Sequence, residues 1–363
     1  MLHKKSFLFA MLAMAAITAC NKNLATENII PENPQEQSEM GQMILSLDFP
    51  EAVQTKAVSA YTTAQTYESQ VNSVQILVFD SAGKIDKYQN AGKSTSGISI
   101  STVTGAKTVW AVVNGPDLSS CASVSALQST AITLGGNNSI TASTGFIMAG
   151  SASCTVGTSA VNCAITVSRF VSRVALVSVT NSLPASYGAL TINCAYLANV
   201  VGNQNIAGNA SAATWYNKFG RADESTQVSS HIIDGSTYKA SCPDLTYKAI
   251  SGTANVGASH TPSTPYLFYC FPNSSTTAPA TFSTSFAAQR TVLVVKATVG
   301  GTAYYYPVVL DDAAPARNSA YTVGLTITGP GSSDPNQPVS KGSMTASITV
   351  SPWASGAVYN ETI

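Results

Sequence analysis

Residues 43–57 read MILSLDFPEAVQTKA and join a strand pattern to a lone basic residue. Apolar side chains recur at every second position, which predicts a β-strand with one buried face. These side chains are Met43, Leu45, Leu47 and Phe49. Lys56 then stands alone as the basic residue between Met43 and Tyr61. The pattern indicates a core strand followed by what looks like a protease site at Lys56-Ala57.

The composition of the whole chain favours strands over helices. Of 363 residues, 45% are hydrophobic and only 10% are charged, well below the charged fraction of an ordinary soluble domain. Small and β-branched residues take the place of charged ones, which suits extended strands and tight turns. The 18 basic and 18 acidic residues cancel, so no net field attracts nucleic acid. We expect no nucleic-acid partner.

Alternating apolar residues continue along the rest of the chain, interrupted by turns rich in Gly, Pro, Asn and Ser. Many short strands of this kind predict an all-β fold of β-sandwiches. A polar stretch at 181–186 predicts a boundary between two domains, at 41–182 and 187–363. Residues 200–265 read as a long surface excursion. A short helix is expected at 124–130.

The N-terminus carries an export signal. A basic start and a short apolar run precede Ile17-Thr18-Ala19-Cys20, and the run is too short to remain as a membrane span. The pattern predicts a lipoprotein signal peptide at 1–19, with Cys20 lipidated as the mature N-terminus. The alternative is a plain secretory signal with an incidental cysteine. Residues 20–40 are polar and predict a flexible tether.

Six cysteines follow Cys20, and outside the cytoplasm an even number permits disulfides. Cys154 and Cys163 lie symmetrically about a turn-like Gly-Thr-Ser, so a hairpin would place them opposite each other. The alternative is that most of the six are small buried hydrophobic residues. No Cys-x-x-Cys occurs, so no zinc site is expected.

Residues for catalysis are scarce. The chain has 18 acidic residues and three histidines, and it has neither a nucleophile elbow nor a glycine-rich loop that leads into a helix. Asp311 and Asp312 are the remaining cation candidates, although adjacent aspartates are more often solvated turn residues. We therefore expect no catalytic residues, no metal and no cofactor, and the protein is not predicted to be an enzyme.

The C-terminal end of the folded region repeats the pattern of residues 43–49. Apolar side chains again occupy every second position, at Met344, Ala346, Ile348 and Val350. Each stretch therefore offers four side chains for one strand face, about 20 Å long. Pattern alone leaves two interpretations open. The two segments are either ordinary strands of their own domains or a physically matched pair at the two ends of the folded region.

Several motifs, in order, resemble the fimbrillins of the Bacteroidetes, the FimA-like major fimbrial subunit lipoproteins of type V pili. They are the lipobox at Cys20, Thr55-Lys56-Ala57, QILVFDSAGKI at 75–85, WAVVNGPDL at 110–118, FIMAG at 146–150, SRFVSRVALVSV at 168–179, YLFYCFPN at 266–273, AYYYPVVL at 303–310 and the closing ASITVSPW. The resemblance covers essentially the whole chain.

The resemblance implies two tandem transthyretin-like β-sandwich domains. It also implies export as an outer-membrane lipoprotein, removal of the first strand by a trypsin-like protease, and filling of the open groove by the C-terminal strand of a neighbouring subunit. Four side chains buried in this way contribute roughly 6–10 kcal/mol before the cost of ordering the donor. The best-known members are cut after Arg, whereas Lys56 stands here.

The function expected from these features is that of a stalk pilin that joins copies of itself into a surface fimbrium and supports adhesion. The alternative is a surface lipoprotein that does not polymerise, such as a tip adhesin or a glycan-binding module. Trp215 and Tyr216 would then be the contact surface for a host or bacterial ligand. Asp80-Ser81-Ala82 also resembles an O-glycosylation sequon of these bacteria, with Ser81 as acceptor, although an Asp-initiated turn explains it equally well.

Overall fold

The computed structural model describes residues 39–49, 65–134, 144–208, 215–217, 244–277, 288–310, 315–335, 337, 339 and 342–352. All of them belong to one compact unit that begins at Glu39. Cys20, Lys56, Ala57, Asp311 and Asp312 lie outside the described residues.

The described residues form strands almost throughout, in agreement with the period-two pattern, so the predicted all-β class is confirmed. The first ten strands are β1 (Met40–Asp48), β2 (Val74–Phe79), β3 (Ile85–Gly92), β4 (Ile98–Val103), β5 (Gly105–Val113), β6 (Ala131–Thr133), β7 (Met148–Val156), β8 (Val161–Thr166), β9 (Ser168–Arg169) and β10 (Ser172–Asn181). The others are β11 (Leu190–Ala198), β12 (Val200–Val201), β13 (Asn203–Asn205), β14 (Trp215–Tyr216), β15 (Tyr247–Ala254), β16 (Ser259–His260), β17 (Tyr266–Cys270), β18 (Val292–Val299), β19 (Thr302–Val309), β20 (Ser319–Ile327) and β21 (Met344–Pro352).

Two sheets from the first half of the chain enclose one core. The front sheet has the order β4-β1-β8, and the back sheet has the order β3-β2-β5-β7-β9. Their inward faces share one apolar cluster, which includes Met43, Leu45, Ile76, Val109 and Met148, all between 0 and 1% exposed. This is the sandwich that the alternating pattern predicts, with one buried and one open face on the front sheet.

Two further sheets come from the second half of the chain. One has the order β16-β10-β20-β21 with β17 also paired to β10, and the other has the order β15-β11-β18-β19. The larger apolar cluster joins them and also contains Leu77, Phe79 and Val112 from the back sheet. Because this cluster draws on both halves of the chain, the division into two domains stays a prediction.

Strand β10 precedes the predicted boundary at 182 but pairs with strands that follow it. Its partners in the ladders include β17 and β20. The change from one pair of sheets to the other therefore lies between Arg169 and Ser172. Only long-range pairing reveals these partners, and the position of the domain boundary stays a prediction.

Helix is a minor component of the described residues. The short helix predicted at 124–130 is α1 (Val124–Ser129), and its N-cap Ser123 accepts a hydrogen bond from the Ala126 N–H at 3.2 Å. Short 3₁₀ turns occupy Thr66–Glu68, Ala185–Tyr187 and Asp244–Thr246. No helix among the described residues has the length and hydropathy required to cross a membrane.

The predicted surface excursion at 200–265 is partly sheet. Strand β15 forms one edge of the sheet β15-β11-β18-β19, and its residues alternate between buried and exposed positions. The polar composition concealed this strand, because Lys248, Ser251 and Thr253 occupy exposed or half-exposed positions on a pleat whose other face is buried.

Candidate functional site

Strand β1 is the middle strand of the front sheet, with a partner on each side. It runs antiparallel to β4, from Met40 opposite Val103 to Leu45 opposite Ile98. It runs parallel to β8, from Met43 opposite Val161 to Asp48 opposite Thr166. Loss of this strand would leave β4 and β8 each with an unpaired edge, and such edges are templates for another strand.

The inward face of β1 also covers the apolar core. Met43 and Leu45 are fully buried and Leu47 is 7% exposed, while Phe49 is half-buried against the same cluster. Burial of three such side chains stabilises the fold by roughly 5–9 kcal/mol. The outward Ile44 is 38% exposed. The alternation predicted from the sequence is therefore observed over the described part of the strand.

A disulfide lies beside this strand, in the β7–β8 hairpin, which here means two strands joined by a short turn that pair in different sheets. Cys154 lies on β7 and Cys163 on β8, and the bond joins them with their Cα atoms 6.3 Å apart. The pair is the one that the turn-like Gly157-Thr158-Ser159 predicted. Because β7 belongs to the back sheet and β8 to the front sheet, the bond ties one neighbour of β1 to the opposite sheet. Cys121, Cys194 and Cys270 are free thiols among the described residues.

The chain that follows β1 enters residues 50–64, which include Lys56 and lie outside the described residues. It resumes at a buried carboxylate, Glu68. This side chain accepts hydrogen bonds from the Tyr269 hydroxyl at 2.7 Å and from the Arg173 guanidinium at 3.0 Å. It also accepts the Gln65 N–H at 3.1 Å. The segment 65–69 is thus fixed to β10 and β17 independently of β1.

A second arginine strengthens this anchor. The Arg169 Nε donates to the Glu68 carbonyl oxygen at 2.7 Å, and its Nη1 donates to the Asn318 side chain at 3.2 Å. Burial lowers the pKa of Arg169 to about 10, against the opposing effect of the Glu68 carboxylate. Arg169 therefore remains a cation at neutral pH, in a region that would otherwise disfavour charge. The sequence motif at 168–179 contains Arg169 and Arg173, but the sequence did not identify Glu68 as their partner.

The predicted donor segment forms an edge strand. Among the strands that the structure describes, β21 pairs with β20 alone, from Met344 opposite Ile327 to Pro352 opposite Ser319. Met344 and Ile348 are half-buried against the larger cluster, and Ala346 is exposed. Ala346 is exposed in this arrangement because an edge strand at the end of its sheet has less of the core beneath it, and the donor role of this face stays a prediction. Val350 lies opposite Tyr321 in the ladder.

The remaining candidates lie apart from this site. Ser81 is exposed in a turn, where the Asp80 carboxylate accepts the Ala82 and Lys84 N–H groups, each at 2.9 Å. Trp215 and Tyr216 are half-buried against the larger cluster and pair with β12, so they do not form an open aromatic platform. No group of three or more His, Cys, Asp or Glu residues in the described ranges has the geometry of a metal site.

One protein-family model matches the part of the chain that contains most of β1. The family described as major fimbrial subunit protein (FimA) matches residues 43–181, a span that begins within β1. This match covers less than half of the chain and shows that this part of it is similar to the family. No curated protein sequence matches the chain.

Solved structures share the fold over nearly the whole chain. A protein described as a cell adhesion protein from Bacteroides eggerthii has a TM-score of 0.58 at 18% identity, covering 87% of this chain and 97% of that chain. The fimbrilin FimA of Porphyromonas gingivalis has a TM-score of 0.56 at 14% identity, covering 88% and 99%. The tip fimbrial protein Mfa3 of the same species has a TM-score of 0.51 at 13% identity, covering 86% and 100%. At such low identities the likeness shows the fold and not the role.

Proposed function

We propose that this chain is a stalk subunit that polymerises by donor-strand exchange after proteolytic removal of β1. The observation that carries the proposal is the place of β1 between β4 and β8, over the core of the sandwich. Its departure exposes two strand edges and an apolar groove at once. A second strand of similar pattern would pair along both edges and fill the groove.

The proposed sequence of events begins at the lipid. Cys20 carries the anchor to the outer membrane, and a trypsin-like protease cuts between Lys56 and Ala57. Strand β1 lies on the lipid side of that cut, so the anchor and the strand leave together. Glu68 and its partners Arg173 and Tyr269 hold the new N-terminal segment in place, because none of their contacts runs through β1.

The proposed donor is β21 of a neighbouring copy. In the precursor this strand has a single ladder partner, β20, so its release breaks one ladder, whereas insertion beside β4 and β8 forms two. Met344 and Ile348 are half-buried before exchange and would become fully buried in the groove. This difference in burial favours the polymer over the cleaved monomer.

The N-terminus of the assembled subunit tests the proposal. Pili sheared from the cell surface are purified, and the subunit is sequenced from its N-terminus; we expect it to start at Ala57. The Lys56→Ala variant should accumulate as a lipidated precursor without filaments. Lys93→Ala, which removes an exposed lysine elsewhere, is the matched control and should assemble normally. Polymerised subunits that retain a lipidated Cys20 would overturn the proposal.

The alternative role as a tip adhesin or glycan-binding module gains no support from Trp215 and Tyr216, since both are half-buried. Electron microscopy of cells with and without the gene separates the two roles. Loss of filaments supports the stalk role, whereas loss of ligand binding with filaments intact supports the adhesin.

A further inference from the structure

Gly41 lies on β1 at a position with no room for a side chain. It is the buried position that precedes Met43 in the inward-facing series. A Cβ at this position would overlap the carbonyl oxygen of Gly157 and would lie 2.6 Å from the Val156 Cγ1. The groove therefore narrows here to a point that only glycine fits, because a backbone atom cannot rotate away as a side chain does.

The obstacle at this point is rigid. Val156 and Gly157 lie at the tip of the β7–β8 hairpin, and the Cys154–Cys163 disulfide closes the hairpin just behind the tip. Both strands are also paired within their own sheets, β7 to β5 and β8 to β1. After β1 leaves, the disulfide and the β7–β5 ladder still hold the tip in position. Any strand that replaces β1 must then meet the same constraint.

The C-terminal strand carries a glycine at the matching place. Residues 41–49 read GQMILSLDF, and residues 342–350 read GSMTASITV. Aligned without gaps, the two stretches share the glycine, the methionine two positions later and the serine at the sixth position. Apolar residues follow at every second position in both. The offset between them is 301 residues, the difference between 342 and 41.

We propose that β21 of a second copy replaces β1 in one register, in which Gly342 takes the place of Gly41 against the hairpin tip and thereby specifies the alignment. The inference rests on the proposed donor-strand exchange and adds its register and direction. Met344, Ile348 and the residues between them then follow the path of Met43 to Leu47. Because the path is that of β1, the donor runs antiparallel to β4 and parallel to β8.

The chain is able to continue past the hairpin tip in this register. In the precursor, Met40 still pairs with Val103, and the Glu39 carbonyl oxygen accepts the Thr104 N–H at 2.8 Å. A donor strand in this register has the same backbone contacts of β4 available on the N-terminal side of its glycine. Gly342 is therefore held inside a paired strand, where it cannot fray away from the obstacle.

Gly342 does not face the same restriction in the precursor. A Cβ there would meet nothing within 4 Å, although its φ of +96° favours glycine. Gly188 also precedes alternating apolar residues, but β11 pairs on both sides, with β15 and β18, and is not available for exchange. Strand β21 combines the glycine spacing with a single ladder partner.

A peptide experiment tests the steric requirement without the φ effect of the precursor. A fluorescent peptide of residues 339–352 is added to trypsin-treated precursor, and its binding is compared with that of a peptide carrying Gly342→Ala. We expect binding at least about tenfold weaker for the alanine peptide, because a methyl group forced against the backbone overpacks the groove. When Gly342→Ala is introduced into the full chain instead of the peptide, Gly257→Ala is the matched control. Gly257 also has a positive φ, and a Cβ there would meet nothing within 4 Å.

Cross-linking tests the register itself. In the proposed alignment Thr345 takes the place of Ile44, whose partner on β4 is Ser99. One chain carries Ser99→Cys and a second chain carries Thr345→Cys; after cleavage and oxidation, we expect a cross-linked dimer. Ser347→Cys in place of Thr345→Cys should give none, and each single-cysteine chain alone measures the background from the free thiols.

The outcomes separate this inference from the proposed function. Equal binding of the two peptides, or a cross-link from Ser347→Cys, would overturn the register while donor-strand exchange stands. If cleaved wild-type protein neither polymerises nor takes up the peptide, both the register and the exchange are overturned.

Discussion

Strands β1 and β21 have nearly the same pattern and very different surroundings. β1 lies between two strands and buries Met43 and Leu45 completely. β21 lies at the edge of its sheet, pairs with β20 alone, and leaves Met344 and Ile348 half-buried. The difference shows that the alternating pattern makes a strand able to cover a core, while its place in the sheet decides how much of that ability is used.

This contrast has an energetic consequence for assembly. The side chains of a middle strand contribute close to their full transfer free energy, whereas those of an edge strand contribute a fraction. An edge strand that moves into the place of a middle strand therefore gains the rest of the transfer free energy of its side chains. The predictions below test whether the side chains of β1 and β21 differ in their contribution to the free energy of unfolding.

Exchange of β21 for β1 requires that β1 alone leaves the fold and that the segment after Lys56 stays folded. Glu68→Ala breaks the anchor of that segment and leaves Arg173 as an uncompensated buried charge. We expect the free energy of unfolding to fall by roughly 3–5 kcal/mol, measured by urea denaturation of the precursor. Glu39→Ala removes an exposed carboxylate and should change stability by less than about 0.5 kcal/mol. Similar losses of unfolding free energy for both variants would contradict the role of Glu68 in holding this segment.

The middle strand is tested by Leu45→Ala. Leu45 is fully buried in the core of the sandwich, so the substitution removes apolar contacts and leaves a cavity. The precursor should lose roughly 2–4 kcal/mol in the same denaturation experiment. Ile44→Ala on the outward face of β1 is the matched control and should cost less than about 1 kcal/mol. A loss as small for Leu45 as for Ile44 would remove the distinction between the two faces.

The edge strand is tested by Ile348→Ala. Because Ile348 is half-buried in the precursor, its truncation should cost only about 1 kcal/mol there. In the polymer the same residue would occupy the place of Leu47, so the loss should roughly double. Denaturation of precursor and of purified polymer measures both values. Equal losses in the two forms would indicate that β21 does not change its surroundings on assembly.

The smallest effect concerns the wall of the groove beside Gly41. Asp86 accepts hydrogen bonds from Thr102, the β4 partner of Gly41, and from Lys107 at 2.5 Å. Burial raises the pKa of Asp86, but the Lys107 and Thr102 hydrogen bonds outweigh it and the net pKa is lowered. The stabilisation is therefore present above the unfolded-state pKa of about 4 and is lost as pH falls through the lower folded-state pKa.

The measurement is the stability difference between wild type and Asp86→Asn as a function of pH. It should be constant above pH of about 5 and should shrink towards zero as Asp86 becomes protonated in the acid range. Lys107→Met removes the main charged partner and should flatten this dependence. A difference that grows with acidity would reverse the sign of the interaction.

The sequence predicted most of the fold and one half of the candidate site. The strand at 43–49 and its buried face, the edge segment at 344–350, the hairpin that carries Cys154 and Cys163, and the short helix all follow from local patterns of period and turn residues. The pairing of β10 with β17 and β20 was not predicted, because it joins residues about a hundred positions or more apart, and the domain boundary at 182 stays a prediction. Glu68 was missed because one acidic residue in a polar stretch has no local signal of burial.

Local sequence predicts which residues of each segment alternate and where a turn interrupts them. It also shows that 41–49 and 342–350 present similar faces. Tertiary structure alone decided their roles, since the number of partners of a strand depends on chain contacts far away in sequence. It placed β1 between β4 and β8 and β21 at an edge. It also placed the Gly157 carbonyl oxygen against Gly41. This contact gives a steric reason for the glycine at 41 and, in the proposed exchange, for the glycine at 342, and no local pattern predicts it.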